Sequence, residues 1–159
     1  MNVRIVCIGR LKERFWADAA AEFAKRISRF CELETVELAD EKTGDNPKPA
    51  EIERAKQAEC ARMEAKLVRG EYVIALDPRG KMLSSEELAA HIDGLKLAGT
   101  SRIAFLIGGS YGLTDGLRRR ADLVLSFSKM TFSHLIFRVM LLEQIYRAFK
   151  ISAGEPYHK

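Results

Sequence analysis

The 159-residue sequence lacks the features that mark several broad classes of protein. Its three cysteines, Cys7, Cys31 and Cys60, are an odd number without a CxxC pair. This spacing argues against a disulfide framework and against a zinc site, so we expect small buried thiols in a reducing cytoplasm. No apolar run approaches the roughly 20 residues that span a bilayer, and the short apolar start has no small-residue cleavage site. We therefore predict a cytoplasmic protein with no membrane segment and no metal.

Familiar phosphate-binding motifs are absent as well. The chain has no GxxxxGK[ST] motif, and its first apolar segment leads into GRLKER, which has one glycine instead of a dinucleotide fingerprint. Residues 1–100 have no excess of positive charge, because they hold 17 Lys and Arg against 18 Asp and Glu. Residues 101–159 hold 9 against 4, so the net charge of +4 originates there. A basic half favours an anionic partner, most commonly nucleic acid.

What the sequence does contain is a regular alternation of strand and helix patterns. Strands are predicted at 3–8, 33–38, 71–76, 101–107 and 123–126. Helices are predicted at 13–29, 50–68, 84–98, 114–120 and 134–152, with a loop at 39–50 and a turn at DPRGK, 77–81. The alternation predicts an α/β fold, a mainly parallel sheet with flanking helices, in one domain over residues 1–159. Because the last helix is apolar almost all round, we also expect a homodimer.

Two segments after the late strands are candidates for a ligand site. The first is IGGSYGL (107–113), with three glycines in five positions, and the second is SFSKMTFSH (126–134). Open α/β sheets bind ligands at the carboxyl ends of their strands, where such segments can offer backbone amides and flat apolar faces. The alternatives are a tight turn without a ligand and a connection whose aromatic side chains reach the core.

Two side chains at the start of the last helix are candidates for chemistry. His134 titrates near physiological pH, although it could instead bond the backbone at the helix start. Arg138 lies on an otherwise apolar helix and needs an anionic partner, either a phosphate or a carboxylate. Glu143 and Arg147 have the spacing of an intrahelical ion pair.

The opening VRIVCIGRLKERFW, the glycine segment LIGGSYGL and the stretch from SFSKMTF to the terminal PYHK together resemble one family over the whole chain. This is the ribosomal RNA large-subunit methyltransferase H family, of the SPOUT class. The resemblance implies S-adenosylmethionine-dependent methylation of N3 of a pseudouridine in helix 69 of 23S rRNA, on the assembled 70S ribosome. It also implies a homodimer and a C-terminal trefoil knot, which general topology rules would exclude.

Particular residues acquire roles through the resemblance. The cofactor contacts that it implies, in a pocket built from about 71–159, are Leu76, Gly108, Phe127, Ser128, Lys129, Met130, Thr131 and Phe132. A glycine at 108 would leave room for the ligand. Candidate catalytic residues are His134, Arg138, Tyr157 and His158, and the general base among them is left open. The family often has proline before the histidine, where this chain has Ser133, which can cap the helix instead.

Several alternatives remain open at this point. Arg118, Arg119 and Arg120 form a basic corner that either contacts RNA phosphates or is a solvated helix end. The tail could act within its own chain or across a dimer. A tRNA methyltransferase of the same superfamily, a non-catalytic ribosome-binding factor and a nucleotide-binding regulator are the competing functions.

Overall fold

The computed structural model describes residues 1–159. Five strands alternate with five helices along the chain. In chain order they are β1 (Asn2–Ile8), α1 (Arg14–Ile27), β2 (Glu32–Leu38), α2 (Pro49–Glu64), β3 (Tyr72–Met82), α3 (Ser85–Leu97), β4 (Arg102–Ile107), α4 (Asp115–Arg120), β5 (Leu123–Ser126) and α5 (His134–Ser152). No helix combines the length and apolar character needed to cross a membrane.

All five strands form one sheet in the order β2-β1-β4-β3-β5, and every neighbouring pair is parallel. The predicted α/β fold is thereby confirmed, with a fully rather than mainly parallel sheet. Side chains alternate between two buried clusters along the strands, as the pleat requires. The larger cluster packs under α1, α3 and α5, and the smaller one packs under α2 and α4. The sheet is therefore the middle of three layers.

The starts of two helices follow the capping chemistry expected from the sequence. Ser84 Oγ accepts a hydrogen bond from the backbone N–H of Glu87 at 3.1 Å, and Glu87 accepts one from the N–H of Ser84 at 2.7 Å. Thr114 Oγ1 accepts from the N–H of Leu117 at 3.2 Å. Each bond satisfies an amide that the first helical turn leaves unpaired, so the boundaries of α3 and α4 are set locally.

The prediction that β3 ends before a turn at 77–81 is wrong. β3 continues to Met82, and both Leu76 and Lys81 pair with Leu125 of β5. The backbone N–H of Arg79 donates to Asp77 Oδ1 at 2.9 Å, so the turn chemistry exists but forms a bulge from which the strand resumes. The bulge lies at the end of the sheet that carries the two candidate segments.

Candidate functional site

A cavity of about 660 Å³ lies at the carboxyl edge of the sheet. Its walls are the bulge of β3 and the segments that follow β4 and β5. The cavity is within the size range of small-molecule and cofactor sites, and it occupies the position where parallel sheets bind ligands. The glycine segment and the 126–134 segment, separate in sequence, thus face one space.

Most of the residues that the resemblance assigned to the cofactor line this cavity. They are Leu76, Gly108, Phe127, Ser128, Met130, Thr131 and Phe132. His134 lines it too, whereas Lys129, Arg138, Tyr157 and His158 do not. Their roles stay predictions, but their positions separate into one group at the cavity and another away from it.

The glycines shape the loop at 108–112, called the glycine loop below, by packing it on itself. A Cβ atom on Gly108 would lie 2.9 Å from the carbonyl carbon and oxygen of Gly112, closer than real side chains approach backbone. Gly112 has a φ of +77°, which favours glycine, and its N–H donates to the carbonyl of Gly109 at 3.0 Å. The space that a side chain would occupy at Gly108 is therefore filled by the loop's own backbone.

The 126–134 segment is ordered by short-range hydrogen bonds of its serines. Ser126 Oγ donates to the carbonyl of Ser128 at 2.9 Å, and Ser128 Oγ accepts from the N–H of Met130 at 3.1 Å. Ser133 Oγ accepts from the N–H of Leu135 at 3.3 Å, which confirms that serine caps α5. Phe127 packs against Phe137 of α5, with ring centroids 4.7 Å apart. The segment thus has defined apolar faces and a defined helix start.

His134 lies half-buried at the edge of the cavity. Burial lowers the pKa of its imidazole, and the nearby charge of Arg138 lowers it further, against a smaller opposing effect of Asp40. A Cβ atom on Gly9 would lie 3.4 Å from His134 Nε2, so the ring rests on the backbone that follows β1. At neutral pH the imidazole is consequently uncharged and able to accept a proton.

Arg138 finds its anionic partner inside the protein. Its Nη1 donates to Glu37 Oε2 at 2.6 Å and its Nη2 donates to the carbonyl of Gly9 at 2.9 Å. The side chain is 3% exposed, whereas that of Glu37 is 36% exposed. Arg138 therefore joins α5 to the ends of β1 and β2 and supports the segment on which His134 rests.

The C-terminal tail is docked on its own chain rather than frayed. Tyr157 Oη donates to Glu143 Oε1 at 3.0 Å, and its ring meets that of Tyr146 edge-on at 4.8 Å. His158 Nε2 lies 2.7 Å from Glu86 Oε1 of α3. Glu143 also accepts from Arg147 at 3.0 Å, which confirms the intrahelical pair. Two candidate catalytic residues thus lie on the α3–α5 face, outside the cavity.

The basic corner is mostly engaged within the chain. Arg118 bridges Asp77 Oδ2 at 3.0 Å and the carbonyl of Leu113, and it also pairs with Asp115. Arg120 pairs with Glu64, which leaves Arg119 as the exposed member with no ion pair. Arg119 is thus the one member of the basic corner that no carboxylate holds, and a contact of this corner with RNA phosphates stays a prediction.

Asp77 is a functional candidate that the sequence reasoning missed. It lines the cavity and is 6% exposed. Burial opposes its ionisation, but hydrogen bonds from Arg79 and the charge of Arg118 outweigh burial and hold its pKa below the usual range. In the sequence, Asp77 stands out as the first acidic residue after the apolar run at 72–76.

No group of three or more His, Cys, Asp or Glu side chains could hold a metal ion.

Residues 1–158 match a family model described as predicted SPOUT methyltransferase. A protein of Clostridium novyi (strain NT) named ribosomal RNA large subunit methyltransferase H is 55% identical over 159 residues, 100% of each chain. A protein of the same name from Clostridium acetobutylicum is 49% identical over 159 residues, again 100% of each. A solved structure of a probable methylase family protein from Haemophilus influenzae Rd KW20 is similar in fold, with a TM-score of 0.53 and 15% identity, covering 99% of this chain and 70% of that one.

Proposed function

The chain belongs to the SPOUT methyltransferase family, and we propose that it methylates N3 of a pseudouridine in helix 69 of 23S rRNA. The proposed substrate is the assembled 70S ribosome, and the methyl donor is S-adenosylmethionine, which SPOUT methyltransferases use. The observation that carries the proposal is full-length identity of 55% and 49% to proteins named ribosomal RNA large subunit methyltransferase H. The excess of positive charge in residues 101–159 supports an RNA substrate.

The residues around the cavity fit a nucleoside cofactor. The lining includes the aromatic side chains of Phe127 and Phe132, the apolar side chain of Leu76, and the hydroxyl groups of Ser128 and Thr131. The glycine loop presents backbone with no bulky side chain at three positions. When bound, S-adenosylmethionine would supply an electrophilic methyl group on a sulfonium. These residues would hold the adenosine and methionine parts.

His134 is the best-placed group for moving a proton. The imide N3 of a pseudouridine must lose its proton before it can attack a methyl group. The lowered pKa of His134 leaves the imidazole neutral at pH 7, and the ring lies at the cavity edge. We propose that His134 accepts this proton, while Arg138 holds the start of α5 in place. Much of the remaining rate enhancement would come from orientation.

Tyr157 and His158 are proposed to contact the RNA rather than the cofactor. Their docking on α3 and α5 leaves them away from the cavity of their own chain. Tyrosine can stack on an unpaired base, and histidine can meet a phosphate. A substrate or a second subunit approaching this face would bring the tail to the reacting nucleotide.

A homodimer is part of the proposal. Several apolar side chains in the first half of α5 are only partly buried in the single chain: Leu135, Ile136, Phe137, Val139 and Met140. A second copy of the chain would bury these apolar side chains against the same helix of its partner. The proposal also includes the trefoil knot of the class, a single domain over 1–159 and a cytoplasmic location. Sedimentation of the purified protein at twice the mass of 17.9 kDa is the expected result, and a monomer at micromolar concentration would contradict the dimer.

The proposed reaction is tested by transfer of a radiolabelled methyl group. Purified protein is incubated with labelled S-adenosylmethionine and, in parallel, 70S ribosomes that lack the modification, free 23S rRNA, and tRNA. Label confined to the ribosome sample is expected. Label in tRNA would favour a tRNA methyltransferase, and ribosome binding without label would favour a non-catalytic factor. Thermal stabilisation by ATP but not by S-adenosylhomocysteine would favour a nucleotide-binding regulator.

A further inference from the structure

A buried glutamate on α2 lies directly beneath the glycine loop. Glu59 is 3% exposed. Its Oε1 accepts a hydrogen bond from the backbone N–H of Glu41 at 2.9 Å, whereas its Oε2 is buried without a hydrogen-bond partner. A Cβ atom on Gly109 would lie 2.8 Å from that Oε2. The backbone of the glycine loop therefore rests against the carboxyl group of Glu59.

The same loop is tied on its other side to residues 39–48, the β2–α2 loop. The hydroxyl groups of Thr43 and Tyr111 lie 2.5 Å apart, and Tyr111 lines the cavity. Arg62 of α2 donates to the carbonyl of Ala39 at 2.9 Å, which fastens the start of the β2–α2 loop to the same helix. The contacts close a ring that runs from Glu59 through Glu41 and Thr43 to the glycine loop and back.

We propose that Glu59 is a positioning residue of the cofactor pocket, whose carboxyl group holds the glycine loop and the β2–α2 loop in one arrangement. The inference rests on the proposed function, because it assigns the cavity to S-adenosylmethionine. Glu59 does not line the cavity, so it acts through Gly109 and through the Thr43–Tyr111 contact. A loop that is already held in its binding conformation binds more tightly than one that must first be ordered.

The environment of Glu59 indicates which replacements preserve this role. Burial raises the pKa of its carboxyl group, against the hydrogen bond from Glu41, so a neutral side chain of the same shape suits the site. Glutamine keeps an oxygen that accepts the N–H of Glu41. Alanine leaves that amide without its acceptor and opens a void beneath Gly109.

The test measures binding of S-adenosylhomocysteine by calorimetry, and hydrogen exchange of residues 108–112 in the ligand-free full-length protein. If Glu59→Ala reduces the competent loop population to about one-tenth, the dissociation constant rises about tenfold. Faster exchange in 108–112 should accompany it. Glu59→Gln should stay within about threefold of the wild type. Glu64→Ala is the matched control, since it removes a half-exposed carboxylate from the same helix and should change neither measurement.

A second pair of variants tests the contact with the loop itself. Gly109→Ala should weaken binding in the wild type and weaken it less in the Glu59→Ala background, where the added methyl group has more room. Thr43→Val removes the link to Tyr111 without a void and should weaken binding in the same direction as Glu59→Ala. If Glu59→Ala does not fold, the effect of Thr43→Val on binding tests whether the glycine loop depends on its contact with the β2–α2 loop.

The outcomes separate this inference from the proposed function. A folded Glu59→Ala variant with wild-type affinity and wild-type exchange overturns the positioning role, as does an unchanged Thr43→Val. Wild-type protein that fails to bind S-adenosylhomocysteine contradicts the proposed function. In that case the exchange of residues 108–112 without ligand still tests whether Glu59 holds the loop.

Discussion

Replacing Arg138 with methionine separates a structural role from a direct catalytic one. The variant loses a charge-assisted hydrogen bond to Glu37 and a second bond to the carbonyl of Gly9. The guanidinium is charged in both bonds, and bonds of this kind contribute about 1.5–3 kcal/mol each. The bond to Glu37 contributes less than this, because the Glu37 side chain is 36% exposed and water can solvate its carboxylate once Arg138 is gone. Methionine keeps the apolar contacts and removes the unpaired Arg138 Nε, so the expected loss is about 2 kcal/mol.

Urea unfolding of the wild type and of Arg138→Met, Glu37→Ala and the double variant measures this effect. In a thermal melt, the same loss of about 2 kcal/mol would lower the melting temperature by about 4–8 °C for a chain of this size. In the Glu37→Ala background the change at Arg138 should cost about 1 kcal/mol less, because its partner is already gone. An Arg138→Met protein that unfolds like the wild type but has lost methyl transfer would contradict the structural role and place Arg138 on the substrate.

Three further predictions concern the cavity and its surroundings. The folded state lowers the pKa of His134, so the unfolded state binds more protons than the folded state once the pH falls below about 6.5. The free energy of unfolding should therefore decrease below that pH. His134→Gln should flatten the decrease when urea unfolding is followed against pH. Gly108→Ala forces the glycine loop apart, which should lower the free energy of unfolding by about 1–3 kcal/mol and weaken S-adenosylhomocysteine binding at least about tenfold by calorimetry. Gly116→Ala is the control, because a Cβ atom there meets open space and should not weaken binding. Arg118→Met should lower the urea midpoint by breaking its buried ion pair, whereas Arg119→Met should leave it unchanged and weaken ribosome binding alone.

The elements could be predicted because their signals are local. The alternation of apolar strands with amphipathic helices reports on which face each element buries, and this is enough to indicate an α/β sheet. The capping box of Ser84 and Glu87 lies within one helical turn, so its bonds depend on nothing distant. The late segments could be placed at one edge because the carboxyl ends of parallel strands meet there.

What the sequence could not predict depends on partners far apart in the chain. Asp77 to Gly80 has the composition of a turn, but pairing of Lys81 with Leu125 returns the segment to the sheet. The partner of Arg138 is a carboxylate 101 positions away, and nothing local distinguishes it from a bound phosphate. The tail likewise contacts Glu86, 72 positions from His158. Long-range pairing decides such cases, and local propensity carries no information about it.

The activity proposed for this chain is methylation of one nucleotide of ribosomal RNA, with S-adenosylmethionine as the methyl donor. The most direct measurement supplies a trideuteromethyl donor to unmodified 70S ribosomes and maps the product by mass spectrometry of ribonuclease fragments. One labelled fragment is expected, from helix 69, with the added mass on N3 of a pseudouridine. Unlabelled rRNA in the presence of folded, cofactor-binding protein, or label at another nucleotide, would contradict it.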